Sequence, residues 1–418
     1  MIRSTVARVD LAALQSNFRA IRDFLGRPKG RPLREPPGII AVVKANAYGH
    51  GAERVALALE QAGATMLACA DIEEGIVLRR AGVRVPILVF GALSVSALDG
   101  LFEFSLTPTI STPSAARAVQ AAAAARGTTI GFHLKIDTGM NRLGFRHDNV
   151  RRTLPGVLGS PNLRLEGIFT HFATADVPGH PLFEQQRTRF EQARQIIDDI
   201  RARHASPPPH ADAGVIRARH ASPLPHADAG VAGATHASPV NGVIVHAANS
   251  AALLRDSRVW YDVVRPGLLL YGIVPPPLAS TIDLEPVMSL TSRVVAVKGL
   301  RPGEGVGYGC RFAAETPCTI AVVPAGYADG LDLRLQGRGQ VLIRGTRVPI
   351  VGAVSMDMMT VDVTALGDVA PGDEVVIIGR QGSEPWQQID VREMAATIGT
   401  IPWEIVCRIG TRIERQYA

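Results

Sequence analysis

The sequence is poor in lysine, cysteine and aromatic residues, and these shortages exclude several classes of protein. The four cysteines form no CxxC pair and no metal-ligand spacing, which favours reduced thiols, a cytoplasmic location and no metal site. The 44 basic residues are spread along the chain with few aromatic residues between them, so nucleic-acid binding is not predicted despite the net charge of +6. The first 25 residues contain no uninterrupted apolar h-region, and no stretch has eighteen uncharged apolar residues, so neither an export signal nor a membrane span is predicted.

Short β-branched runs alternate with helical patterns from residue 10 to about residue 270. The candidate strands are Ile40–Ala45, Met66–Ala70, Pro86–Phe90, Ser105–Thr109, Ile130–Ile136, Leu163–Thr170, Val243–His246 and Val263–Leu269. Eight strands separated by helices favour an α/β fold, a (β/α)₈ TIM barrel over residues 10–283, with an open doubly wound sheet as the alternative. In such a barrel the chemistry takes place at the carboxyl ends of the strands.

The pattern changes after about residue 283. Short strands separated by Gly/Pro turns follow, with no comparable helix before Val391–Ile398. This pattern predicts a mostly β domain over 284–418, to which residues 1–9 add a strand. Asp10 is predicted to cap the helix that follows this strand.

A tandem repeat of period 16 interrupts the barrel pattern at about 202–239. It is rich in proline and alanine and holds five of the eleven histidines. A lone histidine-rich tract lacks the other ligands of a catalytic metal site, so the segment is interpreted as a surface insertion.

A lysine stands where a buried strand ends, in AVVKANAYGHG (residues 41–51). Because only four of the basic residues are lysines, Lys44 is not a generic positive charge. Burial makes an amine nucleophilic, as Schiff-base chemistry requires, although a buried ion pair is an equally good explanation of this position alone. Other predicted strand ends add His171, His246, Asn249, Ser250 and Arg265. Ser250 alone would be explained as a helix N-cap, but together these groups suit pyridoxal phosphate.

The motif around Lys44 resembles the cofactor-lysine signature of the alanine racemases. The resemblance continues in order through KIDTGMNRLGF (135–145), GIFTHFATAD (167–176), HAANSAA (246–252), VRPGLLLYG (264–272), GVGYGCRF (305–312), GYADG (326–330), SMDMM (355–359) and TIPWEIVCRIGTRI (400–413). It covers nearly the whole chain except the repeat. It implies a barrel followed by a β domain, in a homodimer whose partner chain completes each active site.

The resemblance also implies a role for each matching residue. Lys44 would bond to the aldehyde of pyridoxal 5'-phosphate and act as one acid/base, and Tyr308 of the partner subunit would act as the other. Tyr48, Ser250 and amides near Gly267 and Leu268 would hold the phosphate, Arg265 would face the pyridine nitrogen, and Arg142 the phenolate oxygen. Arg142 and the main chain of Met356 would contact substrate. His171 and Asn249 complete the cofactor contacts, and Lys135, His246, Tyr327, Asp357 and Trp403 are supporting residues. Lys135 resembles a lysine that is carbamylated in many members.

These residues predict racemisation of alanine by a two-base mechanism, because a proton must leave one face of Cα and return to the other. A chain from Tyr308 through His171 to Arg265, with His246 behind it, is expected to support the second base. Trp403 stands where the family usually has a tyrosine. A racemase of broader specificity and a non-catalytic pyridoxal-phosphate carrier on the same barrel are the alternatives, and a decarboxylase of the same barrel type lacks its expected signature.

Overall fold

The computed structural model describes residues 4–26, 36–93, 98–204, 242–275, 278 and 281–418. From residue 205 onward, the predicted repeat insertion lies outside these described residues. Among the described helices, none combines the length and the apolar character that crossing a bilayer requires.

The amino-terminal part alternates strands and helices. Its elements are β1 (Val6–Val9), α1 (Leu11–Leu25), β2 (Gly38–Val42), α2 (Lys44–Tyr48), α3 (Ala52–Gln61), β3 (Met66–Cys69), α4 (Ile72–Arg80), β4 (Ile87–Val89), α5 (Asp99–Glu103), β5 (Thr107–Ile110), α6 (Pro113–Ala125), β6 (Ile130–Asp137), β7 (Phe145–Arg146), α7 (Val150–Thr153), α8 (Pro155–Leu158), β8 (Leu163–Phe169), α9 (Leu182–His204), β9 (Ile244–His246), α10 (Ser250–Arg255) and β10 (Val263–Val264). Asp10 caps α1 as predicted, since its side chain accepts a hydrogen bond from the amide of Ala13 at 2.8 Å.

Eight parallel strands form a nearly closed barrel in the order β10-β2-β3-β4-β5-β6-β8-β9, which confirms the predicted fold class. A parallel bridge between Asn249 and Arg265 lies next to the remaining gap. Apolar side chains such as those of Ile40, Met66 and Leu88 are buried inside it, as expected for strands covered on both faces.

The eighth barrel strand is shorter than the sequence predicted. The expected strand Val263–Leu269 ends at Val264. Pro266 has no N–H to donate to a ladder, and residues Leu268–Tyr271 form a 3₁₀ turn instead. The chain therefore turns inward near the mouth of the barrel, where backbone amides become available to a ligand.

The carboxyl-terminal part is mostly β structure. Its elements are β11 (Met288–Arg293), β12 (Ala296–Leu300), β13 (Gly305–Val306), β14 (Phe312–Ala313), β15 (Cys318–Val323), β16 (Gln340–Ile343), β17 (Thr346–Val351), β18 (Met359–Asp362), β19 (Glu374–Gln381), β20 (Gln387–Ile389), α11 (Val391–Ile398), α12 (Pro402–Arg408) and β21 (Glu414–Tyr417). The main sheet has the order β12-β15-β18-β17-β16-β19-β11-β1-β21. The first strand, β1, pairs antiparallel with β11 and parallel with β21, and so ties the chain's start to this sheet.

Candidate active site

A cavity of about 450 Å³ opens at the carboxyl ends of the barrel strands. Most of the predicted site residues line it, namely Lys44, Tyr48, Lys135, Arg142, His171, Asn249, Ser250, Arg265, Gly267, Leu268 and Trp403. Trp403 reaches it from α12, a helix that lies between β20 and β21 in the carboxyl-terminal part of the chain. The barrel and the end of the chain therefore build one site together.

Lys44 follows β2 at the edge of the cavity. Burial lowers the pKa of its amine, and the nearby positive charge of Arg142 lowers it further. Within the described residues its amine makes no hydrogen bond or ion pair, so a buried ion pair does not explain the lysine. The surroundings favour the neutral, nucleophilic amine that covalent chemistry with an aldehyde requires.

The turn that carries Lys44 is left-handed. Ala45, Asn46, Ala47 and Tyr48 have φ values between 51° and 54°, a conformation that costs L-residues about 1–2 kcal/mol each. The amide of Ala45 donates to Glu74 at 2.7 Å, and the side chain of Asn46 accepts from the amide of Ala52 at 2.8 Å. Sequence reasoning missed this use of Glu74, because α4 carries no pattern that points to a turn almost thirty residues earlier.

Tyr48, Ser250 and Gly267 form a small polar cradle at one end of the cavity. The amide of Gly267 donates to the hydroxyl of Ser250 at 3.0 Å. A Cβ on Gly267 would lie 2.6 Å from the hydroxyl oxygen of Tyr48, so the glycine keeps space open beside that hydroxyl. The N-cap of α10 is Asn249 rather than Ser250, because the side chain of Asn249 accepts from the amide of Ala252. The hydroxyl of Ser250 instead lies beside Gly267.

The ring of Phe169, at the end of β8, lies beneath three polar side chains. The ring of His246 stacks on it at 4.7 Å and 10°. The charged groups of Arg265 and Lys135 lie 5.3 and 5.7 Å from its centre, within cation–π range. Sequence reasoning missed Phe169, since an apolar residue in a strand motif gives no signal beyond core packing.

Arg265 is held rigidly at the bottom of the cavity. It is 3% exposed. One terminal nitrogen donates to Nδ1 of His246 at 3.0 Å, and the other donates to the carbonyls of Thr170 and Ala247 at 2.8 and 2.9 Å. Burial lowers its pKa to about 9, so it remains charged at neutral pH.

The expected chain from Tyr308 through His171 to Arg265 is formed only in part. Arg265 bonds to His246 as predicted, but its other side-chain hydrogen bonds go to backbone carbonyls and none goes to His171. His246 lies behind the cavity and does not line it. Three of the five N–H donors of the guanidinium are used on these acceptors, and none of the three bonds reaches His171.

The cavity is strongly cationic. Lys44, Lys135, Arg142 and Arg265 all line it. Burial and the charge of Arg142 lower the pKa of Lys135 to about 8, and burial together with Arg265 holds the pKa of His171 well below its usual value. A cavity with this charge attracts anionic groups such as phosphate and carboxylate.

A second group of predicted site residues lies outside this cavity, on loops of the β domain. It consists of Tyr308, Tyr327, Met356 and Asp357. Tyr308 is 79% exposed and Met356 is 53% exposed. Sequence reasoning missed a residue that joins the loops of Tyr327 and of Met356 and Asp357: Arg412 donates to Asp329 at 2.7 Å, to Asp357 at 2.9 Å and to the carbonyl of Met356 at 3.3 Å.

Comparison with known proteins finds similarity along almost the whole chain. Residues 9–212 and 224–275 match the family model for the alanine racemase N-terminal domain, and residues 287–417 match that for the C-terminal domain. An alanine racemase of Symbiobacterium thermophilum is 38% identical over 417 residues, which covers 100% of this chain and 97% of that protein.

Solved structures are similar in fold as well. An alanine racemase of Clostridium difficile has a TM-score of 0.83 and 30% identity, over 100% of this chain and 96% of that one. An alanine racemase of Bartonella henselae, described with covalently bound pyridoxal phosphate, has a TM-score of 0.79 and 26% identity, over 99% of each chain.

Proposed function

The chain belongs to the alanine racemase family, whose members are pyridoxal-phosphate-dependent isomerases, and on this premise we propose that Lys44 and Tyr308 racemise alanine from opposite faces. The observation that carries this proposal is the convergence of a neutral-leaning amine, a polar cradle and a buried arginine in one cavity.

The residues present fit pyridoxal phosphate. The cradle of Tyr48, Ser250 and Gly267 suits a phosphate, because Gly267 lies beside two hydroxyl groups that line the same cavity. The amide of Leu268 begins a 3₁₀ turn and has no acceptor inside that turn, so it is available as a further donor. Arg265 would face the pyridine nitrogen, to which it can donate a hydrogen bond. A guanidinium cannot accept a hydrogen bond in return. Arg142 would face the phenolate oxygen, and His171 and Asn249 would complete the surroundings.

The bound cofactor supplies an electron sink that stabilises negative charge on the substrate Cα. The remaining steps belong to this chain. Lys44 removes or delivers the Cα proton on one face and Tyr308 does so on the other. Arg142 and the main chain of the partner's Met356 would hold the substrate carboxylate, which keeps Cα between the two bases.

Lys135 fits the role of a carbamylated lysine. A lysine whose pKa is lowered to about 8 is partly neutral at physiological pH, and a neutral amine adds carbon dioxide to give a carbamate and a proton. The resulting negative charge would lie among the cations of the cavity and would orient Arg142.

A second copy of the chain is the partner that completes the site. Tyr308 is exposed and does not line its own chain's cavity, so it is free to enter the cavity of another copy. Tyr327 and Asp357 would lie at the entrance of that shared site. The cysteines at 69, 310, 318 and 407 are all free thiols, which supports a cytoplasmic location.

Incubation of the cofactor-loaded protein with L-alanine in deuterated water tests this function. We expect D-alanine that carries deuterium at Cα. Exchange without inversion would mean that one base works alone, and no exchange at all would favour a non-catalytic carrier.

The same assay with serine, valine and lysine defines the substrate range. Trp403 lines the cavity in place of the family's usual tyrosine. Activity on alanine alone assigns the narrow specificity, whereas comparable rates on larger amino acids assign the broader racemase. The variant Trp403→Tyr provides the matched control, since it restores the usual residue.

A further inference from the structure

Three buried side chains form a line from the cavity toward the opposite end of the barrel. Arg265 donates to Nδ1 of His246 at 3.0 Å. Nε2 of His246 lies 2.8 Å from Nδ1 of His133 on β6. His246 and His133 are both 0% exposed. His133 therefore has a direct hydrogen-bonded connection to the arginine at the bottom of the site, although it does not line the site cavity.

A glycine on the strand between them allows the two histidines to meet. His133 on β6 and His246 on β9 are separated by β8, and Gly167 of β8 lies beside His133 in the sheet register. A Cβ on Gly167 would come within 2.5 Å of the His133 ring. The His133 ring occupies the space that the side chain of any other residue at position 167 would need.

The arginine fixes the direction of every hydrogen bond in the line. A guanidinium only donates, so Nδ1 of His246 must accept. Burial and the charge of Arg265 lower the pKa of His246 well below its usual value and that of His133 to about 3, so both rings are neutral. The proton of His246 is then on Nε2, where it is donated to Nδ1 of His133. The proton of His133 is consequently on its own Nε2.

That last nitrogen has no hydrogen-bond partner in the described chain. His133 also borders a separate pocket at the amino ends of the barrel strands, where Met66, Thr107 and Ile244 begin β3, β5 and β9. The line thus starts at the catalytic end of the barrel and finishes at the other end. A buried donor without a partner costs free energy, so its presence in a folded protein calls for an explanation.

We propose that His133 is a positioning residue that acts through His246 to hold Arg265 in the orientation that meets the cofactor. It rests on the proposed function, in which Arg265 faces the pyridine nitrogen. His133 holds the proton of His246 on Nε2, so that Nδ1 of His246 always presents a lone pair to the guanidinium.

Two variants of His133 separate positioning from packing. His133→Asn keeps an acceptor where Nδ1 stands, whereas His133→Leu removes it. Thr109→Val is the matched control, because Thr109 pairs with His133 in the register and its buried hydroxyl has no partner in the described chain. All three are compared with the wild type as cofactor-loaded protein.

We expect His133→Leu to lower kcat by about tenfold, the effect of one lost hydrogen bond at the upper end of its usual range, with KM changed by less than about twofold. Its affinity for pyridoxal phosphate, measured by absorbance titration, should fall by a similar factor. His133→Asn should recover most of both losses, and Thr109→Val should match the wild type. A folded His133→Leu with wild-type kcat and cofactor affinity would overturn the proposal, as would His133→Asn equal in loss to His133→Leu.

Nitrogen NMR of the histidine rings in the wild-type protein supplies a test that does not depend on activity or on folding of a variant. We expect His246 and His133 both to carry their proton on Nε2. A proton on Nδ1 of either ring would refute the line. If the wild type bound the cofactor but did not racemise alanine, the proposed function would fail. The cofactor affinities of the variants and the NMR of the histidine rings would still test the role of His133.

Discussion

The two regions that carry the predicted site residues differ in how complete they are. In the barrel, Arg265 is 3% exposed and fixed by three acceptors, and it lines a cationic cavity together with other predicted site residues. On the β domain, Tyr308 is 79% exposed and lies on a loop that contributes nothing to that cavity. The barrel side is preorganised within one chain, whereas the β side presents its groups outward. A cofactor site can therefore form in one chain, but a site with two bases needs a second surface.

The largest test of this comparison mixes two inactive variants. Lys44→Ala removes the barrel's amine and Tyr308→Phe removes the β domain's hydroxyl, and we expect each alone to lower the racemisation rate by about 10²- to 10⁴-fold or more. In a dimer with shared sites, one chain of each kind leaves one site intact and places both defects in the other. The purified mixed dimer should then recover about half of the wild-type activity per dimer.

Two differently tagged chains, expressed together and purified through both tags, provide this dimer. The control is each variant carrying both tags, which forms no intact site. A mixed dimer as inactive as either parent would show that Lys44 and Tyr308 of the same chain act together, and the division between the two regions would be wrong.

A smaller effect concerns the buried cations of the barrel. Burial and Arg142 lower the pKa of Lys135 from 10.5 to about 8, so between these values the unfolded chain holds a proton that the folded chain has lost. The free energy of unfolding of the wild type should therefore rise with pH across this window, by up to about 1.4 kcal/mol per pH unit more than that of Lys135→Met. Below pH 8 the free energies of the two proteins should change with pH in parallel.

Urea unfolding at pH 7, 8, 9 and 10, in buffers free of carbon dioxide so that the amine stays unmodified, measures this difference. Lys298→Met removes a solvent-exposed lysine of β12 and should follow the wild type. Equal slopes for the wild type and Lys135→Met over the whole range would mean that the cavity does not disfavour the charged lysine.

The parts of this site that could be predicted from the sequence are those written in local patterns. Alternating runs gave the barrel strands, and the position of Lys44 at a strand end indicated reactive chemistry. Contacts between distant segments left no such pattern: Glu74 supporting the turn after Lys44, Gly167 giving room to His133, and Arg412 bonding to Asp357. The alternative explanation of Ser250 as a helix N-cap is wrong, because the side chain of Asn249 caps α10.

The smallest effect is expected at the support of the exposed region. Arg412 joins Asp329, which is 0% exposed, to Asp357 and to the carbonyl of Met356, and so holds two loops that carry proposed substrate contacts. Arg412 itself is not predicted to contact the substrate, so its removal should act only through these loops. We expect Arg412→Ala to loosen them and to raise KM for alanine by about threefold to tenfold, with a smaller change in kcat. Arg412→Lys retains the charge but not the forked geometry, so its KM should lie between that of the wild type and that of Arg412→Ala. Steady-state kinetics in both directions measure this, with Arg338→Ala, an exposed arginine of the same domain, as the control. If Arg412→Ala lost cofactor affinity instead, the β-domain loops would support the barrel's own cavity, and the contrast between the two regions would narrow.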